Sequence, residues 1–142
     1  MAKLNGSNQW WKRGKVLGID YNIFLEYASE GDLFSKVKKT CGGLSEMELS
    51  EYVKGILLGL KDIHNLGLVH CDIKPENILI TGDGVPKIAD FGLAMRVGVV
   101  HGTHRRRGTQ KYMASEVIKN GVYNWWCDIW ALGCTVLKML IG

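Results

Sequence analysis

Near the middle of the chain, His70-Cys71-Asp72-Ile73-Lys74-Pro75-Glu76-Asn77 sets an acid, a base and an amide at fixed offsets on one short stretch. A carboxylate can receive the proton of an attacking hydroxyl, an ammonium can steady a moving phosphate, and an amide oxygen suits a hard divalent cation. Those are the requirements of phosphoryl transfer, and Asp72, Lys74 and Asn77 meet them in order. Asp90-Phe91-Gly92 follows, 13 residues after Asn77. An aspartate at a strand's end beside glycine can reach a metal, because glycine lets the backbone turn sharply. Either motif alone also fits an ordinary polar loop or turn. Their order and separation carry the reading.

These residues need elements to hold them. Residues 19–28 are rich in β-branched and aromatic side chains and predict a strand. Gly31 breaks it, and Asp32 caps a short helix through Val37. From Ser45 to about His64 the pattern predicts the strongest helix. Ser45 and Glu48 form a capping box, and Leu49, Tyr52, Val53, Ile56, Leu57, Leu60 and Ile63 recur on one face. Gly67 then terminates it. Asn77–Ile80 and Pro86–Ala89 read as two short strands joined by Thr81-Gly82-Asp83-Gly84, a hairpin-type turn. The catalytic octet thus falls on a loop between helix and strand. A Gly- and Arg-rich loop spans 98–108. About Tyr123 to Ile141 is helical and apolar nearly all round, which calls for enclosure by other structure.

Composition sets limits. The 142 residues are 46% hydrophobic and 23% charged, an ordinary globular balance with room for one sizeable core. The net charge of +4 comes mainly from Arg105-Arg106-Arg107. No aromatic residues interleave with that run, so base stacking has no support and no nucleic-acid partner is expected. Cys41, Cys71, Cys127 and Cys134 show no C-x-x-C spacing, and His64 and His70 complete no zinc pattern, which reads as free thiols. The N-terminus lacks a signal-like apolar run, and Trp125–Ile141 is short for a membrane span and holds Asp128 and Lys138. A cytoplasmic protein is the expectation, with the nucleus also open.

The octet, Asp90-Phe91-Gly92, the run Gly108-Thr109-Gln110-Lys111-Tyr112-Met113-Ala114-Ser115-Glu116, and Asp128-Ile129-Trp130-Ala131-Leu132-Gly133 resemble the eukaryotic protein kinase signature set, in the family's order. Pro75 after Lys74, and Gly108-Thr109 before Tyr112, look like the serine/threonine branch. Trp11–Gly18 together with the octet is similar to plant mitogen-activated protein kinase kinase kinases. The resemblance implies an α+β fold, a remnant of the N-terminal β lobe over 1–28 and a partial, mainly helical C-terminal lobe over 29–142. It implies ATP and Mg2+ as cofactors and a protein substrate, such as a downstream MAP kinase kinase, in a signalling cascade. Asp72 would be the base, Lys74 would steady the γ-phosphate, and Asn77 and Asp90 would hold magnesium. Thr109 would bond to Asp72 and Lys74 and help select a hydroxyl substrate. Leu17 and Gly18 would border the nucleotide, with the Glu26 carbonyl and Ala28 amide facing adenine and Leu25 as gatekeeper. Asp32 would approach the ribose, and Leu79 and Ala89 would line the adenine floor. Asp128 would accept bonds from catalytic-loop amides.

The sequence also departs from that family. After Leu17-Gly18 the family would continue G-x-G-x-x-G-x-V, yet Ile19-Asp20-Tyr21 already resembles the strand before the hinge. The phosphate-clamping loop, the V-A-I-K lysine and its glutamate partner are not found, which implies a fragment of weak or no activity. Loss of one preorganised donor costs roughly 3–4 kcal/mol of transition-state stabilisation. Lys12 or Lys15 would have to substitute from a solvated strand edge. Cys71 stands where an arginine would pair with a phosphate on Thr103 or Thr109, and Ser115 replaces the proline of A-P-E. Glu116 is expected to be buried without its cation, and one or two strands make a poor small lobe. Three alternatives follow: an active kinase, a pseudokinase-like binding module, or a truncated splice or gene-model product. The apolar last helix is expected to promote self-association.

Overall fold

The computed structural model describes residues 2–3, 9–16, 19–40, 42–97 and 106–142. The fold is α+β. It opens with an antiparallel sheet of three strands in the order β1 (Ala2–Lys3), β2 (Gln9–Val16) and β3 (Ile19–Glu26). β2 and β3 pair from Gln9↔Glu26 to Val16↔Ile19, so only Leu17 and Gly18 lie between them. Two expectations change here. The sheet has three strands rather than one or two, and β2 is its middle strand, not an edge. The side chains of Lys12 and Lys15 lie outside the described residues, as do Leu17, Gly18, Cys41 and Thr103.

After a short strand β4 (Gly31–Asp32), Asp32 starts α1 (Leu33–Lys39). Its carboxylate accepts the Ser35 amide at 2.8 Å and the Ser35 hydroxyl at 2.9 Å, which satisfies an otherwise orphaned helical donor. The long helix α2 (Glu46–Asn65) carries the expected capping box, with the Glu48 amide donating to Ser45 Oγ and the Ser45 amide to the Glu48 carboxylate. It stops at Leu66, and Gly67 follows at φ +71°.

Tyr52, Ile56, Leu60 and Ile63 are buried on α2, but Leu57 is 43% exposed, contrary to the periodicity. The cause is a pair of glycines. Strands β6 (Ile78–Ile80) and β7 (Pro86–Ile88) form the expected hairpin, and β7 lies against α2. A Cβ on Gly55 would stand 2.5 Å from Pro86 Cγ, and one on Gly59 3.1 Å from Ile88 Cδ1. At 100° per residue, the buried arc is turned toward Gly55 and Gly59 and away from Leu57.

The last helix, α4 (Trp125–Ile141), packs on α2 and closes the lobe. Leu33 and Val37 of α1, Ile56 and Leu60 of α2, Ile78 and Ile80 of β6, and Leu132 and Met139 of α4 share one core with Ile73 of the intervening loop. The C-terminal end of α4 is sealed by the loop before α2, whose Leu44 amide donates to the Met139 carbonyl at 2.8 Å. Gly43 makes that approach possible, since a Cβ there would fall 2.2 Å from the Leu140 carbonyl oxygen. Enclosure of α4 is one-sided. Trp126, Trp130, Leu137 and Ile141 are each more than half exposed. Among the described residues no helix is long and apolar enough to cross a membrane.

Candidate active site

The octet leaves α2 through β5 (Leu68–Val69), which pairs with β8 (Met95–Arg96), and enters β6 through a turn over Pro75–Asn77. Its shape is imposed by Asp128 of α4, a fully buried carboxylate. Asp128 accepts the His70 amide and the Cys71 amide, both at 2.9 Å, and faces His64 Nε2 at 2.9 Å. A buried carboxylate is tolerable only with such partners. Cys71 adopts φ +69°, a left-handed conformation rare outside glycine and costing about 1–3 kcal/mol. The two bonds from successive amides to one carboxylate are what hold it there.

His70 has its ring buried. Its Nδ1 accepts the Asp72 amide at 3.3 Å and its Nε2 faces the Ala89 carbonyl at 3.1 Å. That pairing requires a neutral ring with the proton on Nε2. Burial pushes His70 below its ordinary range, against the pull of Asp128 and other nearby carboxylates. The edge of the ring meets Phe91 at 4.9 Å between centroids, so the segment bearing Asp90 is packed against the octet.

Asp72, Lys74, Asn77 and Thr109 come together. Lys74 Nζ stands 2.9 Å from Asp72 Oδ2 and donates to Thr109 Oγ1 at 2.7 Å. Thr109 gives Asp72 Oδ1 two bonds, from its hydroxyl at 2.7 Å and its amide at 2.8 Å. Asn77 Nδ2 donates to the Asp72 carbonyl at 2.8 Å and to Oδ2 at 3.0 Å. Burial by itself pushes the Asp72 carboxyl up, but the bonds from Lys74 and Thr109 and the lysine charge outweigh it and hold it below the ordinary range. Asp72 is therefore an ionised, largely buried carboxylate.

Thr109 reaches this cluster across 37 residues because Gly108 permits it. Gly108 has φ +109°, and a Cβ there would lie 2.4 Å from the Cys71 carbonyl oxygen. Asp90 stands on the next loop. Its neighbour Ala89 donates its amide to the Asn77 carbonyl at 2.8 Å, which ties the two loops together. Asp90 itself is exposed, at φ +64°, with Oδ1 accepting the Gly92 amide at 3.3 Å.

The family model for the protein kinase domain matches residues 16–142. The chain belongs to the protein kinase family. Mitogen-activated protein kinase kinase kinase 20 of Arabidopsis thaliana is 46% identical over 127 residues, a stretch covering 86% of this chain and 37% of that protein. Mitogen-activated protein kinase kinase kinase 17 of the same plant is 42% identical, over 87% of this chain and 33% of its own length. The kinase nsy-1 of Caenorhabditis elegans, a mitogen-activated protein kinase kinase kinase, is 43% identical over 84% of this chain and 8% of its length. The chain thus spans about a third of the length of the first two.

The residues that the resemblance assigns to a nucleotide are held more loosely. Glu26 ends β3 and pairs with Lys87 of β7 at 3.1 Å, an exposed contact worth little on its own. Ala28 follows β3, and its carbonyl accepts the Gly31 amide. Leu79 of β6 is half-buried beside Asp32, its partner in the strand register. Leu25 of β3 is 42% exposed. Asp32 already spends both carboxylate oxygens on Ser35. Glu116 is partly exposed, not buried, and the Ser115 hydroxyl lies 3.5 Å from its carboxylate, so the expected cost of a fully buried charge does not arise. Sequence reasoning missed the contribution of Tyr123, whose hydroxyl contacts the backbone of Arg107, and of His64 behind Asp128. Their only sequence signal was placement near the ends of α4 and α2.

Cys71, Cys127 and Cys134 are free thiols. Burial pushes the Cys71 thiol well up and that of Cys127 up to about 12. Such thiols are poor nucleophiles at neutral pH.

Proposed function

We propose that this chain carries the catalytic centre of a serine/threonine protein kinase of the mitogen-activated protein kinase kinase kinase type, transferring phosphate from ATP to a protein hydroxyl. The observation that carries this is the Asp72 carboxylate, held ionised by Lys74 and Thr109 beside Asn77. Such a carboxylate suits the proton of an incoming hydroxyl. Lys74, already 2.7 Å from Thr109 Oγ1, sits where it could follow a transferring phosphate. Asn77 uses its amide nitrogen on Asp72, so its acceptor oxygen is what it offers outward. Asn77 and the exposed Asp90 would hold magnesium, an amide oxygen and a carboxylate being hard donors of the kind it takes. When bound, magnesium supplies charge neutralisation on the phosphate oxygens. Glu26, Ala28, Leu79 and Ala89 would border the adenine and Asp32 the ribose, while Thr109 would favour serine or threonine over tyrosine. The similarity to mitogen-activated protein kinase kinase kinases supports a MAP kinase kinase as the protein substrate.

A second reading has its own support. β2 passes into β3 through two residues, leaving no sequence between them for a phosphate-covering loop or a lysine-bearing strand. On that reading the chain is a binding module that occupies a kinase's partner or substrate without catalysis. Incubation with Mg-ATP and a basic protein substrate separates the two, with Asp72→Asn as control. Phosphate incorporation that falls by about 10²–10⁴ in the control supports catalysis; equal background in both proteins leaves only binding.

A further inference from the structure

Tyr123 precedes α4 by two residues and turns its hydroxyl back onto the loop that ends at Thr109. The hydroxyl donates to the Arg107 carbonyl at 3.1 Å and accepts the Arg107 amide. One phenol therefore takes both backbone polar groups of a single residue, within its capacity as one donor and two acceptors. Arg107 lies outside helix and strand, so no ladder satisfies it otherwise. The next residue, Gly108, sits at φ +109° against the Cys71 carbonyl, and Thr109 then reaches Asp72 through amide and hydroxyl. Glycine accepts either sign of φ at little cost. Without a fixed point upstream, Gly108 would act as a swivel and Thr109 would swing off Asp72.

We infer that Tyr123 is a positioning residue for the Asp72–Thr109 pair, clasping Arg107 so that Gly108 can deliver Thr109 to the carboxylate. The clasp also explains how Asp72 and Thr109 keep their places though 37 residues separate them. Asp128, four residues into α4, fixes the octet by its backbone. Tyr123, just ahead of the same helix, fixes the opposing loop by its backbone. One helix start thus sets the separation of both halves of the site. Tyr123 is half-buried beside a small cavity lined by Cys71, Thr109, Met113 and Cys127, so phenylalanine keeps the packing and removes only the hydroxyl.

The consequence for catalysis rests on the kinase reading; the clasp does not, and the test separates them. Amide hydrogen exchange is measured residue by residue on the whole 142-residue chain and on Tyr123→Phe, alongside steady-state phosphorylation of a basic protein. The expected result is exchange at the Thr109 amide faster by roughly tenfold, with Ile56 and Leu60 of α2 unchanged. The turnover number falls by a similar factor with KM for ATP unmoved. Unchanged exchange at Thr109 overturns the inference. So does equal acceleration in α2, which would make Tyr123 a general prop of the fold, and so does faster exchange at Thr109 with turnover intact. Local acceleration in a chain that never transfers phosphate supports the clasp and sinks the kinase reading instead.

Discussion

At the scale of single residues, the site depends on which groups are denied a charge. His70 is fully buried between Asp72 and Ala89, and its two ring nitrogens are committed to an acceptor and a donor role. Burial lowers its affinity for protons below the ordinary value of 6.5. The folded state therefore binds this proton less readily than the unfolded state. His70 contributes stability in full above pH 6.5, and that contribution is lost as pH falls through the folded value. Urea melts between pH 7.5 and 5 should show falling stability, and a His70→Gln variant should show a shallower slope over that window. Ring carbon shifts in NMR should show His70 gaining its proton at lower pH than a free histidine, and titration at or above the ordinary value would contradict the assigned tautomer. The same denial keeps Cys127 a thiol, so neither it nor Cys71 should react quickly with iodoacetamide at pH 7 in the folded chain.

At the scale of elements, glycine decides where things meet. Asp72, Lys74, Asn77 and Asp90 stood out by type and spacing and Thr109 and Asp128 through the family resemblance, and the contacts of Asp72, Lys74, Asn77 and Thr109 and the amide bonds to Asp128 are present in the fold. The capping box at Ser45 and the hairpin around Asp83-Gly84 were legible too, because both are local rules written in adjacent residues. Leu57 was misread, because a hydrophobic stripe shows which side chains could be buried but not which backbone lies against them. Gly55 and Gly59 contain that information only once β7 is in place, since an absent side chain has no signal of its own. Gly55→Leu should therefore push Pro86 off α2 and destabilise the lobe by about 1–3 kcal/mol, measured as a shift in the urea midpoint with an unchanged slope. A neutral result would mean that the helix and hairpin do not touch there. Glu116 was misjudged for a related reason: exposure is a property of neighbours, and its place beside Ser115 at the start of α3 (Ser115–Asn120) leaves one side to solvent.

At the scale of the whole molecule, one face is unfinished. α4 buries Cys127, Asp128, Ala131, Leu132, Thr135 and Met139 and leaves Trp126, Trp130, Leu137 and Ile141 in water. Exposed aromatic and aliphatic side chains grouped along one helix favour association. Light scattering should show the chain forming higher species as concentration rises, and Trp126→Glu with Trp130→Lys should reduce them without changing the circular dichroism of the helices. A monodisperse monomer at high concentration would remove this expectation. The sequence showed that α4 was apolar on most sides, yet which side the rest of the chain covers is a matter of packing against α2 and β5.

The long reach of Asp128 has one more consequence, in time. Its amide partners lie 58 and 57 residues earlier in the chain, and His64 lies 64 residues earlier. A ribosome adding about 5–20 residues per second exposes the octet for roughly 3–12 s before its anchor has been made. During that interval the Asp128 carboxylate does not yet restrain Cys71 in its left-handed conformation. The nascent octet must wait in some other shape until α4, synthesised well after it, bends it into the geometry seen here.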